Sequence, residues 1–386
     1  MITTSSSAFV DSKKHLLILD ALRGIAAIMV LIMHTFEMFC EGDYHKLFIN
    51  HGYLAVDFFF MLSGYVMAHA YDDRWGSMTV IDFIKRRLIR LHPLIILGMA
   101  LGGLLFFFQE ADLFPKIADT SVWRLILITL IGFALIPVPT SMDVRGWNEM
   151  FPLNGPAWSL FFEYIANILH VFILRKLSNR VLSFLVFLAA IALYSAAITS
   201  ESGDLIGGWS LEPEQLKLGF TRLLFPYMAG MLLRRAVKLR RGKRTFYLTG
   251  ILLVTVLSMP RFGGYDDVWK NGLYEALVVS IVFPSIVYLG AIGEVKGKFH
   301  QKVCTFLGDI SYPLYITHFP FILMYYAWVA NNEVSLSVGI TVGILTMLGV
   351  VLIAYASLKF YDLPIRKRLA ERFLYSNKDS PNQTSK

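Results

Sequence analysis

The chain has 386 residues, of which 56% are hydrophobic and 17% are charged. A soluble domain carries about a quarter charged residues, so this composition excludes an ordinary soluble protein and predicts that most of the chain lies in lipid. The net charge of +8 is concentrated in short clusters between apolar runs, a distribution that orients a membrane protein and does not suggest nucleic-acid binding. Cys40 and Cys304 match no metal or redox spacing, so we expect neither a disulfide framework nor a metal site.

Eleven apolar segments are candidate membrane spans; they lie near 16–39, 53–70, 93–108, 123–138, 158–177, 181–199, 216–233, 246–259, 273–292, 303–329 and 336–360. If every basic cluster between them is cytoplasmic, the chain crosses an even number of times between consecutive clusters. This parity fails only between Arg90 and Arg175, where three candidates intervene. The segment 123–138 is short and ends in Pro137-Val138-Pro139, so we expect it to be re-entrant or interfacial. The sequence therefore predicts an all-α polytopic membrane protein with about ten transmembrane helices and one re-entrant or interfacial segment.

The same reasoning divides the chain into a membrane domain and two tails. We expect a cytoplasmic tail at 1–15, a transmembrane domain at 16–362 and a basic cytoplasmic tail at 363–386. No cleavable signal peptide is evident, because the first eleven residues are polar and the first apolar run is too long.

The first apolar segment carries three ionisable side chains on one helical face. His34 follows Arg23 by eleven positions, which places the two on the same side of a helix, about 16 Å apart along its axis. Asp20 lies on the same stripe. Ionisable groups at membrane depth are costly and usually serve a function. The alternative is that Asp20 and Arg23 pair at the cytoplasmic rim and that His34 is a satisfied polar residue.

Asp57 lies near the start of the second apolar segment. If the first two spans form a hairpin that turns near His45, Asp57 lies at the level of His34 and orients its imidazole. Alternatively, Asp57 only caps the start of its helix. Ser63-Gly64 lies deeper in this segment; it is either a nucleophile or, the interpretation we favour, a small pair that allows close helix packing.

Two arginines stand at the expected cytoplasmic end of the third span. Arg87 and Arg90 are three residues apart and hence neighbours on one helical face. Arginine is suited to bidentate phosphate contacts. A basic run beside a span is also a common topology signal or lipid headgroup contact, and the spacing alone leaves these alternatives open.

Two later spans carry further polar side chains. Glu163 lies one to two turns inside its span, where a carboxylate is expensive, and Asn167 and His170 follow on the same face. Tyr315 and His318 share a face of another span.

These stretches together resemble the membrane-bound acyltransferase-3 family of O-acyltransferases. Arg23 and His34 are similar to its Arg-x10-His pattern, and the Arg87–Arg90 pair resembles its Arg-x-x-Arg motif. Three further stretches look like its FF-x-LSG-aromatic, WSL-x-x-E and SY-x-x-Y-x-x-H motifs, at 59–65, 158–163 and 311–318. Each motif is loose, but five in the same order are specific.

The resemblance implies transfer of an acyl group, commonly acetyl, from cytoplasmic acyl-CoA to a hydroxyl on a cell-surface sugar. It implies that His34 is essential for transfer and that Arg87 and Arg90 serve the acyl-CoA side. Some members of the family append an extracytoplasmic hydrolase-like domain, which we do not expect here. Family members use lipopolysaccharide, exopolysaccharide, antibiotics and other small molecules, so the acceptor stays open.

We therefore expect an integral O-acyltransferase of the cell membrane, the inner membrane in a bacterium, with both termini cytoplasmic. It holds no permanently bound cofactor, takes acyl-CoA (commonly acetyl-CoA) as donor and contacts membrane lipid and a carbohydrate or small-molecule acceptor. His34 is the expected general base, with an acyl-imidazole as the variant mechanism. Asp57 or Glu163 is expected to orient His34.

The remaining roles concern the donor. Arg23 is expected to hold the pantetheine arm or the thioester carbonyl, while Arg87 and Arg90 bind the CoA phosphates. The alternative function is a non-enzymatic transporter or flippase of a lipid-linked sugar, in which the same buried charges line a permeation path. A structural scaffold for polysaccharide export would leave those charges without a role.

Overall fold

The computed structural model describes residues 16–40, 42–237, 245–332 and 334–375; of residue 375 it describes the backbone alone. The tail predicted at 1–15 lies outside the described residues, as do residues 376–386 of the tail predicted at 363–386 and residues 238–244 at the end of one basic cluster. Within the described ranges the regular structure consists of helices, with no β-strand.

Thirteen α-helices are formed by the described residues. They are α1 (Leu17–Glu37), α2 (Ala55–Tyr71), α3 (Val80–Leu105), α4 (Val122–Phe133), α5 (Ala157–Phe172), α6 (Asn179–Thr199), α7 (Pro213–Ala236), α8 (Phe246–Ser258), α9 (Trp269–Leu277), α10 (Phe283–Ile292), α11 (Lys298–Asn331), α12 (Leu336–Ala356) and α13 (Leu363–Ala370). Short π-helical turns join α9 to α10 and α12 to α13.

Helix length and hydropathy confirm the prediction of an all-α, multi-pass membrane protein. Among the described residues, seven helical stretches are long and apolar enough to cross a bilayer. Helices α7 and α11, with 24 and 34 residues, are long enough to cross but are not among these seven. Helix α4, at the segment expected not to cross, has 12 residues and is about 18 Å long, against a hydrocarbon core of about 30 Å. Helix α8, counted among the predicted spans, is similarly short at 13 residues.

Glycines let two helix pairs approach each other backbone to backbone. A Cβ on Gly24 of α1 would lie 2.2 Å from the Leu307 carbonyl oxygen of α11. One on Gly64 of α2 would lie 2.0 Å from the Tyr227 carbonyl oxygen of α7. Only a residue without a side chain fits at either position. Gly64 therefore serves close helix packing, the interpretation favoured from the sequence.

Two hydrogen bonds attach the rest of the fold to the middle of α11. Pro320 has no N–H to donate to the Ile316 carbonyl one turn earlier. Asn154 Nδ2, just before α5, donates to that carbonyl instead at 2.7 Å. Gln109 Nε2, just after α3, donates to the Pro320 carbonyl at 2.8 Å. These bonds fix the ends of α3 and α5 beside His318.

Candidate active site

The site is built around His34, near the C-terminal end of α1. Its Nδ1 lies 2.8 Å from Glu37 Oε2, and the Tyr44 hydroxyl donates to Glu37 Oε1 at 2.8 Å. The Tyr326 hydroxyl donates to the His34 backbone carbonyl. A carboxylate only accepts hydrogen bonds, so this arrangement assigns the ring proton to Nδ1 and leaves the Nε2 lone pair as the base.

Glu37 was missed in the sequence analysis. It follows His34 by three residues and therefore lies on the same helical face. This spacing was the available signal. Glu37 stands at the end of the apolar run, however, where a carboxylate can reach water and therefore does not indicate a functional site. The structure places it where Asp57 or Glu163 was expected.

A second histidine lies against the first. The rings of His34 and His318 are stacked, with centroids 5.6 Å apart and an interplanar angle of 25°, and Phe319 meets His34 edge-on at 5.2 Å. His318 is buried, and its Nδ1 lies 3.1 Å from the Leu314 carbonyl oxygen. That contact puts the ring proton on Nδ1. In the part of the chain that the structure describes, nothing hydrogen-bonds to His318 Nε2.

Polar contacts continue from His318 along α11. The Tyr315 ring lies 6.1 Å from that of His318, and its hydroxyl is 2.8 Å from Ser159 Oγ in α5. The expected shared face of Tyr315 and His318 is thus present, and it faces the start of α5.

The structure corrects the expectation that Asp57 orients His34. The Asp57 carboxylate is buried and forms an ion pair with Arg222 of α7, with Nη2 to Oδ2 at 2.6 Å. Arg222 also donates to the backbone carbonyls of Tyr53 and Gly207, at 2.8 and 2.9 Å. Asp57 therefore faces α7, and its partner lies 165 positions away in the sequence.

Glu163 is likewise not beside His34. Its Oε1 accepts a hydrogen bond from Arg87 Nη2 at 2.5 Å and one from Ser63 Oγ at 3.3 Å. This corrects the expectation that Glu163 orients His34, and it shows that Arg87 has a carboxylate partner within the chain. Removing one partner of this largely buried pair leaves an uncompensated charge, so Arg87 and Glu163 act as one structural unit.

Arg90 differs from Arg87. No hydrogen-bonded or ion-paired partner is found for its guanidinium within the described ranges, whereas the positive charges of Arg23, Arg87 and Arg366 act on it. The carboxylate of Asp362 also acts on Arg90, but it is ion-paired with Arg366 at 3.0 Å. Arginines within electrostatic range of one another, with the charge of Arg90 uncompensated, form a region suited to a phosphate anion.

Arg23 belongs to this arginine cluster (Arg23, Arg87, Arg90 and Arg366). Its Nε donates to Ser311 Oγ at 2.8 Å and its Nη2 to the Gly308 carbonyl at 3.2 Å, with Asp20 Oδ1 3.7 Å away. Three helical turns separate Arg23 from His34, about 16 Å at 1.5 Å per residue. The arginine cluster and the paired histidines thus lie at opposite ends of α1.

Two further expected polar residues, Asn167 and His170, lie buried in α5. The His170 ring packs against Phe83 and Tyr227, with centroids 6.1 and 6.3 Å away. It is remote from the His34 group and forms part of the core between α3, α5 and α7.

Comparison with known proteins identifies the family of the chain. A family model described as an acyltransferase domain, acyltransferase-3, matches residues 16–357. Over 160 residues the chain is 34% identical to Protein 2 in the picA locus of Rhizobium radiobacter, covering 39% of this chain and 78% of that one. No solved structure matches the chain.

Two relatives with named activities align over almost all of the chain. It is 22% identical over 384 residues to the peptidoglycan O-acetyltransferase OatA of Listeria monocytogenes and 25% identical over 381 residues to the O-acetyltransferase OatA of Staphylococcus aureus. These alignments cover 92% and 94% of this chain but 56% and 59% of the two relatives, so it spans less than two thirds of their length. Because the family model extends from the first helix to the end of α12, the chain belongs to the acyltransferase-3 family of membrane acyltransferases.

Proposed function

We propose that this protein is a membrane O-acyltransferase that moves an acyl group, commonly acetyl, from acyl-CoA to a hydroxyl of a cell-surface carbohydrate. The observation that carries the proposal is the His34 imidazole, bonded to Glu37 and stacked on His318, at the opposite end of α1 from an arginine cluster. Two relatives that are named O-acetyltransferases, one of them for peptidoglycan, support the acetyl group and the carbohydrate acceptor.

In this mechanism His34 is the general base. Its Nε2 takes the proton from the acceptor hydroxyl, the hydroxyl oxygen attacks the thioester carbonyl carbon, and the C–S bond breaks to release CoA as the thiolate. The proton then passes from His34 to the thiolate. The Glu37 carboxylate holds the imidazole in the required tautomer and stabilises the imidazolium that forms. An acyl-imidazole on His34, with the acyl group then passed to the acceptor, is the variant.

The arginine cluster is the proposed site for the CoA phosphates. Arg90 is its principal phosphate ligand, because Arg87 is neutralised by Glu163. Arg23 lies about 16 Å from His34 along α1, too far to touch a carbonyl that reacts there, so it serves the pantetheine arm or a phosphate. The arm then extends along α1 and presents the thioester at His34.

The direction of transfer follows from the side on which CoA is made. Cytoplasmic acyl-CoA places the arginine cluster at the cytoplasmic side of the membrane, the inner membrane in a bacterium, and His34 toward the outer side. Both termini are then cytoplasmic, which agrees with the basic clusters expected there. The surface glycan reaches His34 from outside.

The test uses purified protein in lipid nanodiscs, acetyl-CoA labelled in its acetyl group, and surface glycan extracted from cells that lack the gene. Transfer of label to the glycan is expected, and His34→Ala should abolish it. His300→Ala, at the far end of α11, is the matched control and should retain activity. Folded wild-type protein that neither consumes acetyl-CoA nor labels glycan would overturn the proposal in favour of a transporter or flippase.

A further inference from the structure

The loop between α4 and α5 holds a carboxyl group that the mechanism above does not use. Asp143 organises this loop, since its carboxylate accepts hydrogen bonds from the backbone N–H groups of Arg145, Gly146 and Asn148, at 2.9, 2.8 and 3.2 Å. Asn148 has a φ of +56°, in the left-handed region that residues other than glycine rarely adopt. The backbone that leads into Glu149 is therefore held in one conformation.

Three more hydrogen bonds attach the loop to its surroundings. Arg145 Nε donates to the Pro152 carbonyl at 2.9 Å, and its Nη2 donates to Gln109 Oε1 at 2.8 Å. The Met150 N–H donates to the Trp209 carbonyl at 2.7 Å. Together with the bond from Asn154 to α11, these contacts surround Glu149 on both sides in the sequence. Strained and over-determined backbone of this kind is typical of functional sites.

Glu149 itself is 7% exposed and makes no hydrogen bond or ion pair within the described part of the chain. A Cβ on Gly155 would lie 2.5 Å from Glu149 Oε1 and 2.9 Å from Phe319 Cε1, so the carboxyl adjoins the ring that packs on His34. A buried charge without a partner is expensive, and the group avoids that cost by binding a proton.

The charged groups around Glu149 agree with this state. Burial raises the pKa of Glu149 to about 8; Arg145 opposes the shift, and the negative charges of Asp143 and Glu37 add to it. The action of Glu37 also shows that Glu149 lies within electrostatic range of the His34–Glu37 pair. At neutral pH the group is a carboxylic acid, which can donate a hydrogen bond as well as accept one.

We propose that Glu149 is an acceptor-binding residue, which donates a hydrogen bond to a glycan oxygen beside the hydroxyl that His34 deprotonates. This inference rests on the proposed function. The donor approaches His34 from the arginine cluster, so the acceptor must come from the opposite end of α1, where Glu149 lies. A protonated carboxyl next to an aromatic ring offers a sugar both a hydrogen-bond donor and an apolar surface. Arg145 and Asn154 are positioning residues, because their hydrogen bonds hold the loop that carries Glu149.

The test compares Glu149→Gln, which keeps a donor of the same shape, with Glu149→Leu, which has none. In the labelled acetyl-transfer assay, Glu149→Leu should raise the KM for extracted surface glycan roughly tenfold, the loss expected for one hydrogen bond to a buried partner. Glu149→Gln should stay within about twofold of the wild type, and the KM for acetyl-CoA should not change in either. Glu110→Leu, which changes an exposed carboxylate next to Gln109, is the matched control.

A pH series adds a readout that a purely structural role would not move. The kcat/KM for glycan should fall in the wild type as pH rises through about 8, because Glu149 loses its proton, whereas Glu149→Gln should show no such fall. An unchanged glycan KM in Glu149→Leu would overturn the inference. Equal losses in both variants would also overturn it, and would indicate a water-bridged ion pair with Arg145.

A binding measurement separates this inference from the proposed function. The same glycan extract, without acetyl-CoA, should raise the Tm of the wild type and of Glu149→Gln but not that of Glu149→Leu. If no variant transfers acetyl groups but this pattern of shifts appears, the proposed function fails and the glycan site stands. If acetyl transfer occurs and the glycan extract raises the Tm of Glu149→Leu as much as that of the wild type, the glycan site is overturned while the proposed function stands.

Discussion

At the scale of single residues, the hydrogen bond between His34 and Glu37 decides which imidazole nitrogen is the base. Replacing Glu37 by Gln removes the charge that stabilises the imidazolium while nearly preserving shape. We expect Glu37→Gln to lower kcat about ten- to hundredfold with little change in either KM, because the loss falls on the charged transition state. His34→Ala should cost about 10²–10⁴ or more in rate.

Steady-state kinetics on the nanodisc preparation measures both effects, with His300→Ala as the control. His318→Ala should lose less than His34→Ala, because His318 supports the ring by stacking and lacks a carboxylate partner in the described structure. Wild-type turnover in His34→Ala would remove His34 from the mechanism.

Arg87 and Arg90 give the second prediction at this scale, since the structure separates two residues that the sequence treated as a pair. Arg90→Ala should raise the KM for acyl-CoA ten- to hundredfold at an unchanged Tm, because a charge-assisted hydrogen bond contributes about 1.5–3 kcal/mol. Arg87→Ala should instead lower the Tm, because it strands the Glu163 carboxylate.

The double variant Arg87→Met/Glu163→Gln is the control, and it should recover most of the lost stability because no buried charge is left unpaired. Arg90→Lys should rescue acyl-CoA binding only in part, because an ammonium keeps the charge but not the planar fork. If the Arg90→Lys protein binds acyl-CoA as tightly as the wild type, the phosphate role fails. Arg90 would then serve only as a basic residue that orients the protein in the membrane.

At the scale of elements, the proline in α11 and the asparagine in front of α5 form one unit. Asn154→Ala removes the side-chain donor that stands in for the N–H missing at Pro320, and we expect it to cost about 1–3 kcal/mol of stability. Pro320→Ala restores an N–H at the right position, so the Asn154→Ala/Pro320→Ala variant should be more stable than Asn154→Ala alone.

The double-mutant cycle, measured as Tm values in one detergent, reports the coupling between the two positions. Additive effects would show that the Ile316 carbonyl is satisfied in another way.

The elements also show what sequence reasoning reaches. Periodicity placed Arg23 and His34 correctly on one face of α1, because both belong to one helix whose geometry is fixed. It failed for Asp57 and Glu163, whose partners Arg222 and Arg87 lie on other helices. Which faces of two helices meet depends on packing between distant segments, and one sequence carries no record of it. Glu37 could have been predicted as the partner of His34, because it lies three residues further on the same helix.

At the scale of the whole molecule, the crossing pattern is the open prediction. A reporter tag after Ser178 should read cytoplasmic, because the segment 123–138 ends in Pro137-Val138-Pro139 and its helix α4 has only 12 residues, so we expect it not to cross. A tag near Gly203, after α6, should read extracytoplasmic. An extracytoplasmic signal at Ser178 would mean that 123–138 crosses the membrane after all, and the parity argument would fail.

The length of α1 between its two functional levels has a consequence for inhibitor design. Arg23 and His34 lie about 16 Å apart on one continuous helix, so the distance between the two functional levels is fixed. A compound that joins a diphosphate headgroup to a sugar through a flexible linker of that reach would occupy both substrate positions at once. Shorter linkers would engage one end only, and the linker length at which affinity jumps would measure the spacing in solution.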